Sequence, residues 1–235
     1  MTMINPLKSA LQRNSEVFHP VVPFDSLSGR IIQLDLTAGN KVLLPEMLED
    51  AVLFSVFIEK FLLENQAIYA IGGYDELRTM YSRSRVFDEQ RPGEEPRRLH
   101  LGVDIWGKAG TTVFCPLGGM VHSFAMNNSN GDYGATLILL HQLEGISFYT
   151  LYGYISESDL NVSPGDYINH GQELAHFGTA AENGNWPPHL HFQVIMDMEL
   201  REGDYPGVCA YSEREKYLSN CPDPDLILQL YRFIK

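Results

Sequence analysis

The sequence predicts a mainly β core preceded by a mixed α/β extension and followed by a short tail. Two observations carry this. From Leu99 to about Met198, short apolar runs alternate with Gly, Asn and Pro turn signals, which is the pattern of successive short strands. Residues 45–65 instead place Ala51, Phe54, Ile58, Phe61 and Leu62 on one face at helical spacing. The stretch 83–98 (RSRVFDEQRPGEEPRR) has charge, Gly and Pro and little to bury, so it reads as a linker. The expected division is 1–98 for the extension and linker, 99–198 for the β core, and 199–235 for a tail packing on that core.

The elements follow in order. After a polar lead, Ile31-Ile32-Gln33-Leu34-Asp35-Leu36 alternates in part like a strand. Pro45 suits the first turn of a helix, where its missing N–H costs nothing, and the helix runs to about Asn65. Apolar residues are so dense there that the helix is expected to be largely buried, against another element or a partner. Ile71-Gly72-Gly73-Tyr74-Asp75-Glu76-Leu77-Arg78 is a tight Gly-Gly turn followed by charge. Strands are expected at Thr112–Cys115, Gly119–Phe124, Thr136–His141, Phe148–Tyr152 and Leu190–Ile195. Asn130-Gly131, Pro164-Gly165 and Asn183-Gly184 mark turns between them, and a short apolar helix at Leu226–Ile234 ends the chain.

Composition narrows the function. The 235 residues are 44% hydrophobic and 20% charged, ordinary for a globular protein. A net charge of -13 argues against nucleic-acid or anionic-membrane partners and suits a cationic or neutral substrate. The opening residues carry no continuous apolar signal region, and no apolar run approaches the ~20 residues of a membrane span. Cys115, Cys209 and Cys221 form an odd, sparse set that reads as ordinary reduced thiols. A cytoplasmic location is the default expectation.

The chemistry lies in His100-Leu101-Gly102-Val103-Asp104 and His189-Leu190-His191. Residues two apart on a strand share a face, so both histidines of the second motif can enter one site. Imidazole and carboxylate are suitable zinc ligands, and catalytic zinc keeps a fourth position for water. Either motif alone reads better as a pair of surface histidines. Their surroundings add Gly110–Val121, Asp132-Tyr133-Gly134, Leu137–His141, Tyr149–Ile155, Val162–Gly171 and Pro187–Gln193. Over about 100 residues this succession resembles the lysostaphin/LytM-type zinc metallopeptidases, the M23 family. Gly72–Arg78, Asn183–Phe192 and Asp204–Val208 are similar to an intracellular branch whose peptidase domain also occurs fused to aminotransferases.

The resemblance implies a two-layer, antiparallel β fold with Zn2+ in a groove on the sheet. It implies His100, Asp104 and His191 as metal ligands and His189 as a catalytic residue beside them. The reaction expected is amide hydrolysis by a metal-activated water, on a peptide or peptidoglycan-fragment substrate. One position departs from the pattern. Where the family carries a second catalytic histidine, this chain has Tyr154. A phenol with its pKa near ~10 donates a hydrogen bond at neutral pH but is a poor base. Tyr154 is therefore an oxyanion donor in a working enzyme, or the mark of a degenerate member that binds metal and peptide without hydrolysis.

The remaining candidates have plainer readings. His19, His141, His170 and His176 are expected to be structural, as is His122 ahead of a place facing the groove, and Cys115 a buried thiol. Trp186 is equally a groove wall or packing; Asp132-Tyr133-Gly134 reads first as an Asx-type turn and second as a shaper of the groove entrance, and Glu76 with Arg78 first as a surface ion pair and second as residues reaching the site. Val162–Gly171 also resembles a turn of biotinyl- or lipoyl-type carriers, but no Met-Lys-Met-like lysine accompanies it.

Overall fold

A computed structural model describes residues 5–27, 29–83, 87–88, 93–129 and 131–234. Asn130 and the linker residues 84–86 and 89–92 lie outside the described residues. Helix α1 (Pro6–Arg13) leads to strand β1 (Ile31–Leu34), helices α2 (Pro45–Glu49) and α3 (Ala51–Glu64), and strands β2 (Tyr69–Gly72) and β3 (Glu76–Leu77). The β-rich part comprises β4 (Leu99–His100), β5 (Val103–Trp106), β6 (Thr112–Phe114), β7 (Gly119–Asn127), β8 (Gly134–Leu143) and β9 (Ile146–Ile155). It continues with β10 (Tyr167–Ile168), β11 (Glu173–His176) and β12 (His189–Ile195). Then come β13 (Val208–Cys209), α4 (Arg214–Asn220) and α5 (Asp225–Leu228). The fold is mainly β, as the sequence predicts.

Eight strands form one sheet in the order β1-β2-β5-β12-β9-β8-β7-β10, antiparallel except for the β1–β2 pair. A two-stranded ribbon (β6, β11) and a three-stranded sheet (β13-β4-β3) complete it. Alternation along each strand divides the interior. On β5 and β12, Val103, Ile105, Leu190, Phe192 and Val194 enter the core that includes α1 and the β6–β11 ribbon. Trp106 and Ile195 face the other way, toward the cluster containing Phe54 and Ile58 of α3.

The long helix differs from expectation. It breaks at Asp50, whose carboxylate accepts from the N–H groups of Val52 and Leu53 and so caps α3. On the expected face Phe54 and Ile58 are buried, whereas off that face Val52 (71%), Val56 (54%) and Leu63 (79%) stand in solvent. One sheet face offers room for a single stripe of the helix, so apolar density overstated its burial. The C-terminal helix is also shorter, because Gln229 turns left-handed (φ 52°) and one 3-10 turn, Tyr231–Phe233, follows. Among the described residues no helix is long and apolar enough to cross a membrane.

Candidate metal centre

The site begins with two neighbouring strands. In the β5–β12 pair His191 stands opposite Asp104 and His189 opposite Trp106, which places all four on one face. His100 arrives from β4, beside β3 and β13. Its Nε2 lies 3.0 Å from His191 Nδ1 and 3.3 Å from Asp104 Oδ1. His191 Nδ1 lies 3.0 Å from the same carboxylate oxygen. All three residues are buried, and they form the one His/Cys/Asp/Glu cluster with metal-binding spacing found among the described residues.

The outer side of each group is already engaged. His100 Nδ1–H donates to the Gly73 carbonyl at 2.8 Å, and His191 Nε2–H donates to Gln193 Oε1 at 3.0 Å. Gln193 is oriented in turn, its amide nitrogen donating to the Pro206 carbonyl at 3.2 Å and to Cys221 Sγ at 3.3 Å. These bonds assign the ring protons to the outer nitrogens and turn the inner lone pairs toward Asp104. Burial, and Arg78 after it, lowers the His100 pKa to about 4, so that ring is neutral at pH 7. With those tautomers three lone pairs converge, an arrangement that a shared cation or proton relieves. Atoms ligating one tetrahedral zinc at ~2.0–2.1 Å stand about 3.3 Å apart, so the observed 3.0–3.3 Å suits that ion.

Arg78 takes the second of its two sequence readings. It is 1% exposed rather than part of a surface pair. Its Nη1 donates to Asp104 Oδ2 at 2.5 Å and to the Tyr81 hydroxyl at 3.0 Å, and its Nε donates to Glu76 Oε2 at 2.6 Å. Gly72, opposite Asp104 in the β2–β5 pair, makes room, since a Cβ there would stand 2.7 Å from Arg78 Nη2. Burial opposes ionisation of Asp104, but its charged surroundings, Arg78 included, hold the carboxyl well below the ordinary range.

His189 lies between two aromatic rings, with Trp106 stacked at 4.0 Å and Tyr154 tilted at 4.0 Å between centroids. Its Nδ1–H donates to the Pro187 carbonyl at 2.7 Å, leaving Nε2 as the available lone pair. Burial lowers its pKa to about 4, so it is a neutral imidazole at physiological pH. Tyr154 reaches this face by an unusual route. Tyr152 packs in the opposite cluster, and strict alternation would send Tyr154 after it. Tyr154 instead adopts φ 62°, a left-handed conformation costly for a bulky side chain, and its ring crosses to the His189 side. Its N–H donates to the Tyr133 carbonyl and its carbonyl accepts from Gly178, both at 2.9 Å, which holds that turn. Burial pushes the phenol pKa well up, and among the described residues its hydroxyl has no hydrogen-bond partner.

A cavity of about 150 Å³ opens over these groups, lined by Asp104, His189, His191 and Tyr154 with Tyr133 and Trp186. Trp186 is therefore both wall and packing, 1% exposed and donating from Nε1 to the Gly131 carbonyl at 3.1 Å. Tyr133 belongs to the site rather than to a simple turn, its hydroxyl lying 3.4 Å from His191 Nε2. The remaining histidines bond elsewhere. His141 contacts Thr150, His122 Ser123, His170 the Val17 carbonyl, His176 Asp159 and His19 the Pro20 carbonyl. The Cys115 thiol is buried and donates to the Leu117 carbonyl. Sequence reasoning passed over Gln193 and Trp106, although both are marked by alternation, two residues beyond His191 and Asp104.

Residues 98–201 match the model of peptidase family M23. The M23 region thus holds His100, Asp104, His189 and His191, while Gly73 and Arg78 lie before it. No curated protein sequence matches the chain. Among solved structures, the chain is similar to a zinc containing peptidase from Vibrio cholerae, with 23% identity and a TM-score of 0.35. That match covers 46% of this chain and 30% of the other, so the chain spans less than a third of that protein's length. The catalytic domain of the antimicrobial peptidase lysostaphin from Staphylococcus simulans is 21% identical, with a TM-score of 0.40, covering 69% of this chain and 97% of that one. The catalytic domain of a prophage-encoded M23 protein, EnpA, from Enterococcus faecalis is 19% identical, with a TM-score of 0.37 and coverage of 50% and 85%.

Proposed function

We propose that the chain is a zinc-dependent peptidase acting on amide bonds of short or cell-wall-derived peptides. The observation that carries this is the convergence of three buried potential ligand atoms, His100 Nε2, Asp104 Oδ1 and His191 Nδ1, within 3.3 Å of one another. In this reading they are the metal ligands, and the bound ion supplies Lewis acidity and an acidified water. The protein's own groups do the rest. His189, neutral and fixed by Pro187, offers Nε2 to accept or return a proton beside the scissile bond. Tyr154 keeps its proton and lines the cavity, where a phenol donor to a developing oxyanion is worth about 3–4 kcal/mol. Trp106 and Tyr154 hold the imidazole plane between them and exclude water from both its faces.

A second reading rests on Tyr154 itself. A phenol cannot serve as the second base, so the same site binds a peptide without cutting it. Cleavage of short glycine peptides and muropeptides by the zinc-loaded wild type, a His189→Ala variant and a Tyr154→His variant separates the two. Turnover by the wild type that vanishes in His189→Ala supports the peptidase. Turnover confined to Tyr154→His supports the binding protein, and cleavage by neither sinks the peptidase reading.

A further inference from the structure

We propose that Arg78 is a positioning residue of the metal centre, holding Asp104 to a single ligand oxygen. The inference rests on the zinc reading above and concerns a residue outside the M23 region. The two carboxylate oxygens of Asp104 have separate duties. Oδ1 faces His191 Nδ1 and His100 Nε2 at 3.0 and 3.3 Å, whereas Oδ2 is taken by Arg78 Nη1 at 2.5 Å. A carboxylate with both oxygens free can turn to chelate an ion with two, filling a position that catalysis needs for water. With Oδ2 bound to a planar guanidinium, that rotation is blocked.

The guanidinium has no freedom to yield. Glu76 holds Nε at 2.6 Å, the Tyr81 hydroxyl accepts from Nη1 at 3.0 Å, and the Gly73 carbonyl accepts from Nη2 at 3.3 Å. That carbonyl is also the acceptor for His100 Nδ1, so one peptide group orients two of the three ligands, one directly and one through Arg78. The arginine side chain is wholly buried, and Glu76 supplies the counter-charge that makes its burial tolerable. An arginine there serves better than a lysine, because a fork of five donors meets four acceptors at once.

The test uses the full-length protein with cobalt in place of zinc, read by visible absorption, and zinc affinity by chelator competition. Four-coordinate cobalt absorbs strongly in the visible, and higher coordination numbers absorb weakly. Arg78→Met is expected to bind zinc about 10–100-fold more weakly, the loss typical of an outer-sphere partner, and to show a weakened cobalt band. Arg78→Lys, which can still donate to Oδ2, is expected to recover most of the band. Should Arg78→Met fail to fold, Gly72→Ala decides, because its Cβ would displace Arg78 Nη2 from 2.7 Å while keeping every charge. A folded Arg78→Met or Gly72→Ala protein with wild-type zinc affinity and cobalt spectrum overturns the inference. A wild type that takes up neither metal overturns the zinc reading instead.

Discussion

Gly102 gives the sharpest test of the site's geometry. A Cβ there would stand 2.5 Å from His191 Cε1, 2.6 Å from its Nε2 and 2.9 Å from the Phe192 carbonyl. Ordinary contact begins near 3.4 Å, so Gly102→Ala asks for a shift of about 0.9 Å (3.4 less 2.5). The Phe192 backbone cannot move easily, because β12 is hydrogen-bonded to β5 on one side and β9 on the other. The imidazole must therefore yield, disturbing its contacts with Gln193 and Asp104. Ligand distances tolerate only about ±0.2 Å, so His191 is lost to the metal. Zinc affinity is expected to fall by more than the 10–100-fold of an outer-partner loss, and stability by about 1–3 kcal/mol from overpacking. Chelator competition and urea unfolding measure the two effects. Gly73→Ala is the matched control, since its Cβ meets nothing closer than 3.7 Å. An alanine at 102 that leaves zinc affinity at the wild-type value would refute the placement of His191.

Three further outcomes are expected. Tyr154→Phe keeps the ring against His189 but removes the hydroxyl, so it should lower kcat by roughly 10²–10³-fold with zinc affinity unchanged, as steady-state kinetics and chelator competition will read. Gln193→Leu strips His191 of its outer acceptor and should weaken zinc binding about 10–100-fold; unchanged affinity would remove Gln193 from the site. The third concerns His141, buried away from the metal, whose pKa burial lowers from 6.5 to about 4. The unfolded chain binds this proton more readily, so the stability from the neutral ring is complete above about pH 6.5 and is lost as pH falls toward 4. Between pH 7 and 5 the loss spans about 1.5 pH units, or roughly 2 kcal/mol. Urea unfolding of the wild type should show that extra loss relative to His141→Gln, and equal pH slopes would contradict it.

Much of this arrangement is legible in the sequence, and the exceptions have physical causes. Turn chemistry locates the five strands named from the sequence to within a few residues, and the His-x-His spacing places two imidazoles on one face because a strand repeats every two residues. Neither reveals that the β-strand at 103–106 lies between those at 69–72 and 189–195, since register and neighbour order are set by long-range pairing. Arg78 reads first as surface charge and only second as a site residue, because nothing local announces that Gly72 clears a space beside Asp104. Tyr154 was placed in the right segment, but periodicity puts its ring on the wrong side of the sheet; the left-handed turn that reverses it depends on Tyr133 and Gly178, which are distant in sequence. The α3 helix failed for the opposite reason, its composition promising more burial than one sheet face provides.

The Gly73 carbonyl, which steadies His100 and meets Arg78, has a consequence for how such a site can be inherited or transplanted. The region of family likeness begins at residue 98, yet two of the three proposed ligands lean on a peptide group and a side chain contributed 20 or more residues earlier. The donor set and its support therefore belong to different segments, joined only by the folded sheet. A graft of residues 98–201 into another host would carry the ligands and leave behind part of what aims them. In this protein the unit of exchange is larger than the unit of resemblance.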